Sequence, residues 1–75
     1  MKKVDVIAYI AKDGDSYGDC RIYTEEPTKN SQGIFFGNNF TLNLKHANHE
    51  LFQKIYDLLK NGESKKVKIT IEPIV

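Results

Sequence analysis

Alternating apolar and polar side chains mark the strands of this chain. Over 4–11, Val4, Val6, Ala8 and Ile10 fall on one side of an extended backbone and Ile7 and Tyr9 on the other, because successive strand side chains point to opposite faces. Apolar residues on both sides predict a strand in the interior of a sheet. Residues 12–19 contain two glycines and three aspartates, a turn composition. Cys20, Ile22 and Thr24 then alternate with Arg21, Tyr23 and Glu25, predicting a second strand antiparallel to the first. Pro27 opens a polar loop over 27–33, since proline has no N–H to give to a sheet. Ile34, Phe35 and Phe36 resume the strand pattern, and Phe40, Leu42 and Leu44 alternate with Thr41, Asn43 and Lys45. Between them Gly37, Asn38 and Asn39 suit a tight hairpin turn, the alternative being one long strand with a glycine bulge.

The period then changes. Over 47–60, Ala47, Leu51, Ile55, Leu58 and Leu59 fall on one helical face, which Phe52 and Tyr56 widen,. Glu50, Gln53, Lys54, Asp57 and Lys60 go to water, with Glu50 four residues ahead of Lys54,. Asn48 is the expected N-cap and Gly62 the expected stop. Val67, Ile69 and Ile71 alternate with Lys66, Lys68, Thr70 and Glu72 in a closing strand that Pro73 ends. The expected fold is α+β: one small domain, 1–75, with a mostly antiparallel four- to five-stranded sheet and one helix on one face, in the order β-β-β(-β)-α-β. Reached through a helical crossover, the closing strand is expected parallel to the strand before the helix if the two share a sheet.

One helix covers one side of such a sheet. The helix-facing set is Val4, Val6, Ala8, Ile10, Cys20, Ile22, Phe40, Leu42, Leu44, Val67, Ile69 and Ile71. Ile7, Tyr9, Arg21, Tyr23, Lys45, Lys68 and Thr70 remain on the other face, with Phe35 or Phe36 according to register. Aromatic bodies among cationic side chains are what contact surfaces use. Tyr9, Arg21, Tyr23, Phe35 and Lys68 are therefore the expected partner-binding residues. The expected function is a small non-catalytic protein-interaction module that docks a protein partner, or a second copy, through the face opposite the helix. The alternative is weak binding of single-stranded nucleic acid on the same face, with bases stacked on the aromatics and lysines along the phosphates.

Composition narrows these readings. The chain has 75 residues, 11 basic and 10 acidic, for a net charge of +1, and is 40% hydrophobic, which is too apolar for a disordered segment. Ten lysines to one arginine, with eight isoleucines and six asparagines, is usage that fits an AT-rich genome, as in many bacteria and phages. A single arginine equips the chain poorly for reading guanine edges, and near-neutral charge argues against a strong phosphate binder. A lone cysteine excludes a disulfide framework and a Cys-rich zinc site. No apolar run approaches the ~18 residues of a membrane span, and Asp5 falls where a signal peptide would stay apolar. A cytoplasmic protein without a membrane partner is expected.

Candidate chemistry is sparse. Asp13, Asp15 and Gly18 match the first, third and sixth positions of a calcium loop, but Tyr17 and Thr24 stand where oxygen ligands are needed,, so an acidic turn is expected. His46 and His49, three apart, lack a third ligand at matching reach. Cys20 shares its face with Ile22 and is expected to be a buried small hydrophobe. No phosphate loop or serine elbow occurs. No cofactor, metal or catalytic residue is expected. The segment Gln32-Gly33-Ile34-Phe35-Phe36-Gly37 partly follows the aromatic strand of RNA-binding sheets, but packing of its phenylalanines is the expected use. The layout of hairpin, third strand, helix and strand, with the first turn at 11–18, is similar to the small domain of HicB-type antitoxins. The proline-rich stretch and the Gly-Asp-Thr of that family are missing, so the likeness is one of fold and transfers no residue role.

Overall fold

The computed structural model describes residues 2–41 and 43–74. In chain order the elements are β1 (Val4–Lys12), β2 (Cys20–Tyr23), β3 (Thr28–Lys29), β4 (Phe35–Phe36), α1 (Leu44–Ala47), α2 (His49–Ile55), a 3₁₀ turn over Tyr56–Leu58, and β5 (Glu63–Ile71). The fold is α+β in the order β-β-β-β-α-β. Its strands are divided between a three-stranded antiparallel sheet, β2-β1-β5, and a separate β3-β4 hairpin, rather than joined in one sheet of four or five. β5 runs antiparallel to β1. The parallel pairing expected with the strand before the helix does not arise, because β4 belongs to the hairpin.

Cross-strand partners show which residues share a face. Val4, Val6, Ala8 and Ile10 lie opposite Ile71, Ile69, Val67 and Lys65, and Ile10 and Lys12 lie opposite Ile22 and Cys20. The other face carries Ile7 with Lys68, Tyr9 with Lys66 and Tyr23, and Ala11 with Arg21. For β1, β2 and β5 these are the two sets expected from alternation. The part between β4 and the helix differs. The turn of the β3-β4 hairpin spans 30–34, where the Asn30 carboxamide oxygen accepts from the N–H groups of Gln32 and Ile34. Gly37, Asn38 and Asn39 form neither a hairpin turn nor a bulge. They carry the chain from β4 to the free edge of β2, where the Thr24 N–H donates to the Asn38 carbonyl at 2.8 Å and Phe40 N–H to the Ile22 carbonyl at 3.1 Å. Phe40 is exposed and Leu44 is a buried helical residue, so neither is a strand residue on the inner face. Leu42 lies outside the described residues.

The helix begins earlier than its apolar period implies, breaks once, and also ends earlier: α2 stops at Ile55 and the 3₁₀ turn at Leu58, short of Lys60 and of the expected stop at Gly62. Asn43 caps α1, its side-chain oxygen accepting from Lys45 N–H and also from Cys20 N–H, each at 3.2 Å. Asn48 takes an extended conformation and caps α2, accepting from Leu51 N–H at 2.9 Å. Each asparagine satisfies a first-turn donor that has no intrahelical partner.

Two small cores result. On one face, Ile10, Cys20, Leu44, Phe52 and Leu59 pack together with Ile22, Ile55 and Val67 around them. On the other, Ala11, Tyr23 and Phe35 pack with Tyr9 beneath the hairpin. The three connecting loops meet at backbone contact distance around Gly14, whose missing Cβ would lie 3.3 Å from the Gly33 carbonyl oxygen and 3.3 Å from the Gly62 Cα. Gly14 N–H donates to the Gly33 carbonyl at 2.6 Å, and Gly62 N–H to the Lys12 carbonyl at 2.8 Å. This crossing holds the hairpin, the sheet and the helix return in one body.

Candidate docking surface

Four of the five expected docking residues are brought together, but beneath the hairpin. Tyr23 is 1% exposed and Phe35 7%. The Tyr23 hydroxyl donates to the Phe35 carbonyl at 3.3 Å, which supplies the partner a buried phenol needs. Tyr9 is half-buried against them. Arg21 is also half-buried, its guanidinium 3.8 Å from the Asp13 carboxylate. Asp13 is itself buried and accepts from Phe35 N–H at 3.0 Å. Burial raises the Asp13 carboxyl above its ordinary value, opposed by that N–H and by Arg21. The expectation that Tyr23 and Phe35 present a contact face is corrected: β3 and β4 fold back over the sheet and Asp13 pins them there. Lys68 stands apart, exposed, opposite Ile7.

On the helix side a cleft of about 360 Å³ opens at the loop end of the sheet, lined in part by Lys12, Tyr17, Lys45, His49 and Tyr56. Its two lysines are already engaged. The buried Lys12 ammonium donates to the carbonyls of Tyr56 at 3.0 Å and Leu59 at 3.2 Å, and sits 3.6 Å from the centre of the Tyr56 ring. It thereby caps the end of the helix, where orphan carbonyls favour a cation. Lys45 donates to the Tyr17 carbonyl at 2.8 Å. Asp15 accepts from the N–H groups of Tyr17 and Gly18, which is turn chemistry. Cys20 is buried and its thiol is pushed up to about 11, chiefly by desolvation, so at neutral pH it stays protonated. Among the described residues no cluster of three or more histidine, cysteine or acidic side chains could hold a metal ion. None of their helices is long and apolar enough to cross a membrane.

The surface that sequence reasoning missed lies on the helix side, farther along the same strands. β1 and β5 are nine residues each, about 30 Å at the usual rise. The helix enters beside β2, where Asn43 holds Cys20, and leaves at Leu59 just before β5. It therefore crosses the strands instead of running along them, and covers only its own width of ~10–12 Å. Ala8, Ile10 and Val67 fall under it. Val4, Val6, Ile69 and Ile71 lie beyond it, and Val6 is 44% and Ile71 61% exposed. β2 pairs only with Tyr9–Lys12, so from Val4 to Ile7 the sheet narrows to two strands. This arm contributes to a molecule measuring 45 × 24 × 18 Å.

The flank of the helix above the arm is apolar too. Helical spacing sets His49, Gln53 and Tyr56 on the flank that lines the cleft and Leu51, Ile55 and Leu58 on the opposite flank, toward the arm,. Leu51 and Leu58 are exposed, Leu58 at 53%, and Ile55 is half-buried. The arm is thus the floor of an apolar step, and the helix flank is its wall. The signal was present in the length of the strands set against the width of one crossing helix. Compared with known proteins, the chain matches no family model, no curated protein and no solved structure.

Proposed function

We propose that this protein is a small non-catalytic interaction module whose contact surface is the apolar step formed by the β1-β5 arm and the Leu51–Leu58 flank of the helix. The observation that supports it is the exposure of Val4, Val6 and Ile71 together with Leu51 and Leu58. Contiguous apolar surface on a small domain marks a site of association. This reading moves the docking surface from the sheet face that the hairpin covers to the uncovered end of the helix face. Lys68 lies on the opposite face of the arm, and Tyr23 and Phe35 are buried, so none of the three belongs to it. The nucleic-acid alternative needed Tyr23 and Phe35 open for base stacking, and both rings are buried.

A photo-crosslinking amino acid at Ile71, with Lys54 on the outer helix surface as control, tests the reading in cells. Adducts, with this chain or another protein, are expected from position 71 and not from position 54. Equal yields at the two positions, or none at either, would overturn it.

A further inference from the structure

The step has the shape of its own occupant, and on the reading just given we propose that it is filled by the arm of a second copy of this chain in a two-fold, face-to-face dimer. Two packed sheets lie ~10 Å apart, and a helix with its side chains is ~10–12 Å across. A ribbon laid over the Val4, Val6, Ile69 and Ile71 floor therefore enters the same layer as the helix, and its tip meets Leu51 and Leu58. With the two arms antiparallel, each floor covers the other floor and each tip reaches the other wall. The contact is self-complementary, as a two-fold interface requires.

Area supports the same occupant. Of floor and wall, Val4, Val6, Ile71, Leu51 and Leu58 are 40–61% exposed. Covering them on both copies removes on the order of 1,000 Å² from water, about the smallest area of a specific interface. Ile74 lies past the strand end, fully exposed, where the tip meets the partner's wall. A two-stranded ribbon is marginal by itself in water, so an arm with both faces open lacks the third layer that a second copy supplies. Charge points the same way. Asp5, Lys68 and Thr70 all lie on the opposite face of the arm, where Thr70 donates to the Asp5 carboxylate at 2.7 Å. Val4, Val6, Ile69 and Ile71 therefore form an apolar floor, with the charged Lys65 farther along the same face opposite Ile10.

The rival geometry is edge-to-edge pairing of two β5 strands. It leaves both floors uncovered and sets them side by side in a larger exposed apolar patch, so face-to-face stacking is favoured.

Sedimentation of the purified full chain across a dilution series reads the oligomeric state, and amide hydrogen exchange reads the β5 edge. A dimer is expected that Val6→Lys and Leu58→Lys each weaken by at least ~30-fold in Kd, while Lys68→Glu on the far face leaves it intact. The outward-facing β5 amides should exchange as freely in the dimer as in the monomeric variants. Their protection in the dimer would replace this proposal with edge pairing. A chain that stays monomeric at every concentration would overturn the dimer, and crosslinks from position 71 to another protein would then leave the interaction module standing.

Discussion

β1 and β5 pass through two environments without a break in their ladder. From Tyr9 to Lys12, β1 lies between β2 and β5, with the helix over one face and the hairpin over the other. From Val4 to Ile7 it has β5 alone and no cover. The backbone pairing with β5 is the same along both stretches and the side chains are similar. What differs is the layer above. Ile10 is buried while Val6, four residues earlier on the same face, is open. Hydrogen-bonded strands supply geometry, and stability comes mainly from the apolar area removed from water on top of them.

The sharpest way to break this contrast is to truncate one residue in each stretch. Phe52 is buried against Ile10, Cys20 and Leu59 and meets the Tyr56 ring edge-on at 5.3 Å. Phe52→Ala should cost about 3–5 kcal/mol. A core of this size rarely supplies more than ~3–5 kcal/mol in total, so the variant should be largely unfolded at room temperature. Val6→Ala in dilute solution should cost less than about 0.5 kcal/mol. Urea unfolding followed by circular dichroism reads both. Equal losses would mean that the arm is part of the core.

The loop crossing offers a smaller test. Gly18 and Gly33 both have positive φ, +61° and +82°, where a side chain is strained. A Cβ on Gly33 would lie 3.2 Å from the Gly14 Cα, whereas one on Gly18 would meet the Asn61 side chain at 3.5 Å or more. Gly33→Ala should therefore cost about 1–3 kcal/mol and Gly18→Ala about 1 kcal/mol. The order matters more than the values. If Gly18→Ala proved the worse, the backbone crossing would not be what holds the hairpin down.

Much of this architecture was legible in the sequence, and the failures have physical causes. Period-two alternation separated the two faces of β1, β2 and β5, because a half-buried strand cannot slip by one residue without exposing its apolar side. Asn48 was readable as a cap because its side chain satisfies a first-turn donor. Gly62, expected to stop the helix, instead sits at φ +80° in the turn from Lys60 to Glu63 that leads into β5. What alternation cannot report is how far a covering element extends. Val4 and Ala8 look alike in sequence, yet only one lies under the helix. Nor can it say that a polar loop returns over a sheet. Tyr23 and Phe35 became core residues through Asp13 and the Gly14–Gly33 contact, pairings 22 and 19 residues apart in the chain, and neither has a local signature.

Asp13 gives the finest comparison, because it is a carboxyl group inside the closed region, while Asp5 lies exposed on the open arm. Desolvation dominates at Asp13 and raises its carboxyl above the ordinary value, with Phe35 N–H and Arg21 opposing. The sign follows from proton counting. Just above the usual carboxylate range, native Asp13 holds a proton that the unfolded chain has already lost. Its contribution to stability therefore falls as pH rises through that window and is level beyond it. Asp13→Asn keeps an oxygen to accept from Phe35 N–H and removes the charge; the lost pairing to the partly exposed Arg21 is screened by solvent. At neutral pH the substitution should change stability by no more than about 1 kcal/mol. Unfolding measured from pH 3 to 7 should show the wild type losing ground to Asp13→Asn as pH rises. The opposite slope would mean that Arg21 and the Phe35 amide outweigh burial, and that the hairpin is held by the charge rather than in spite of it.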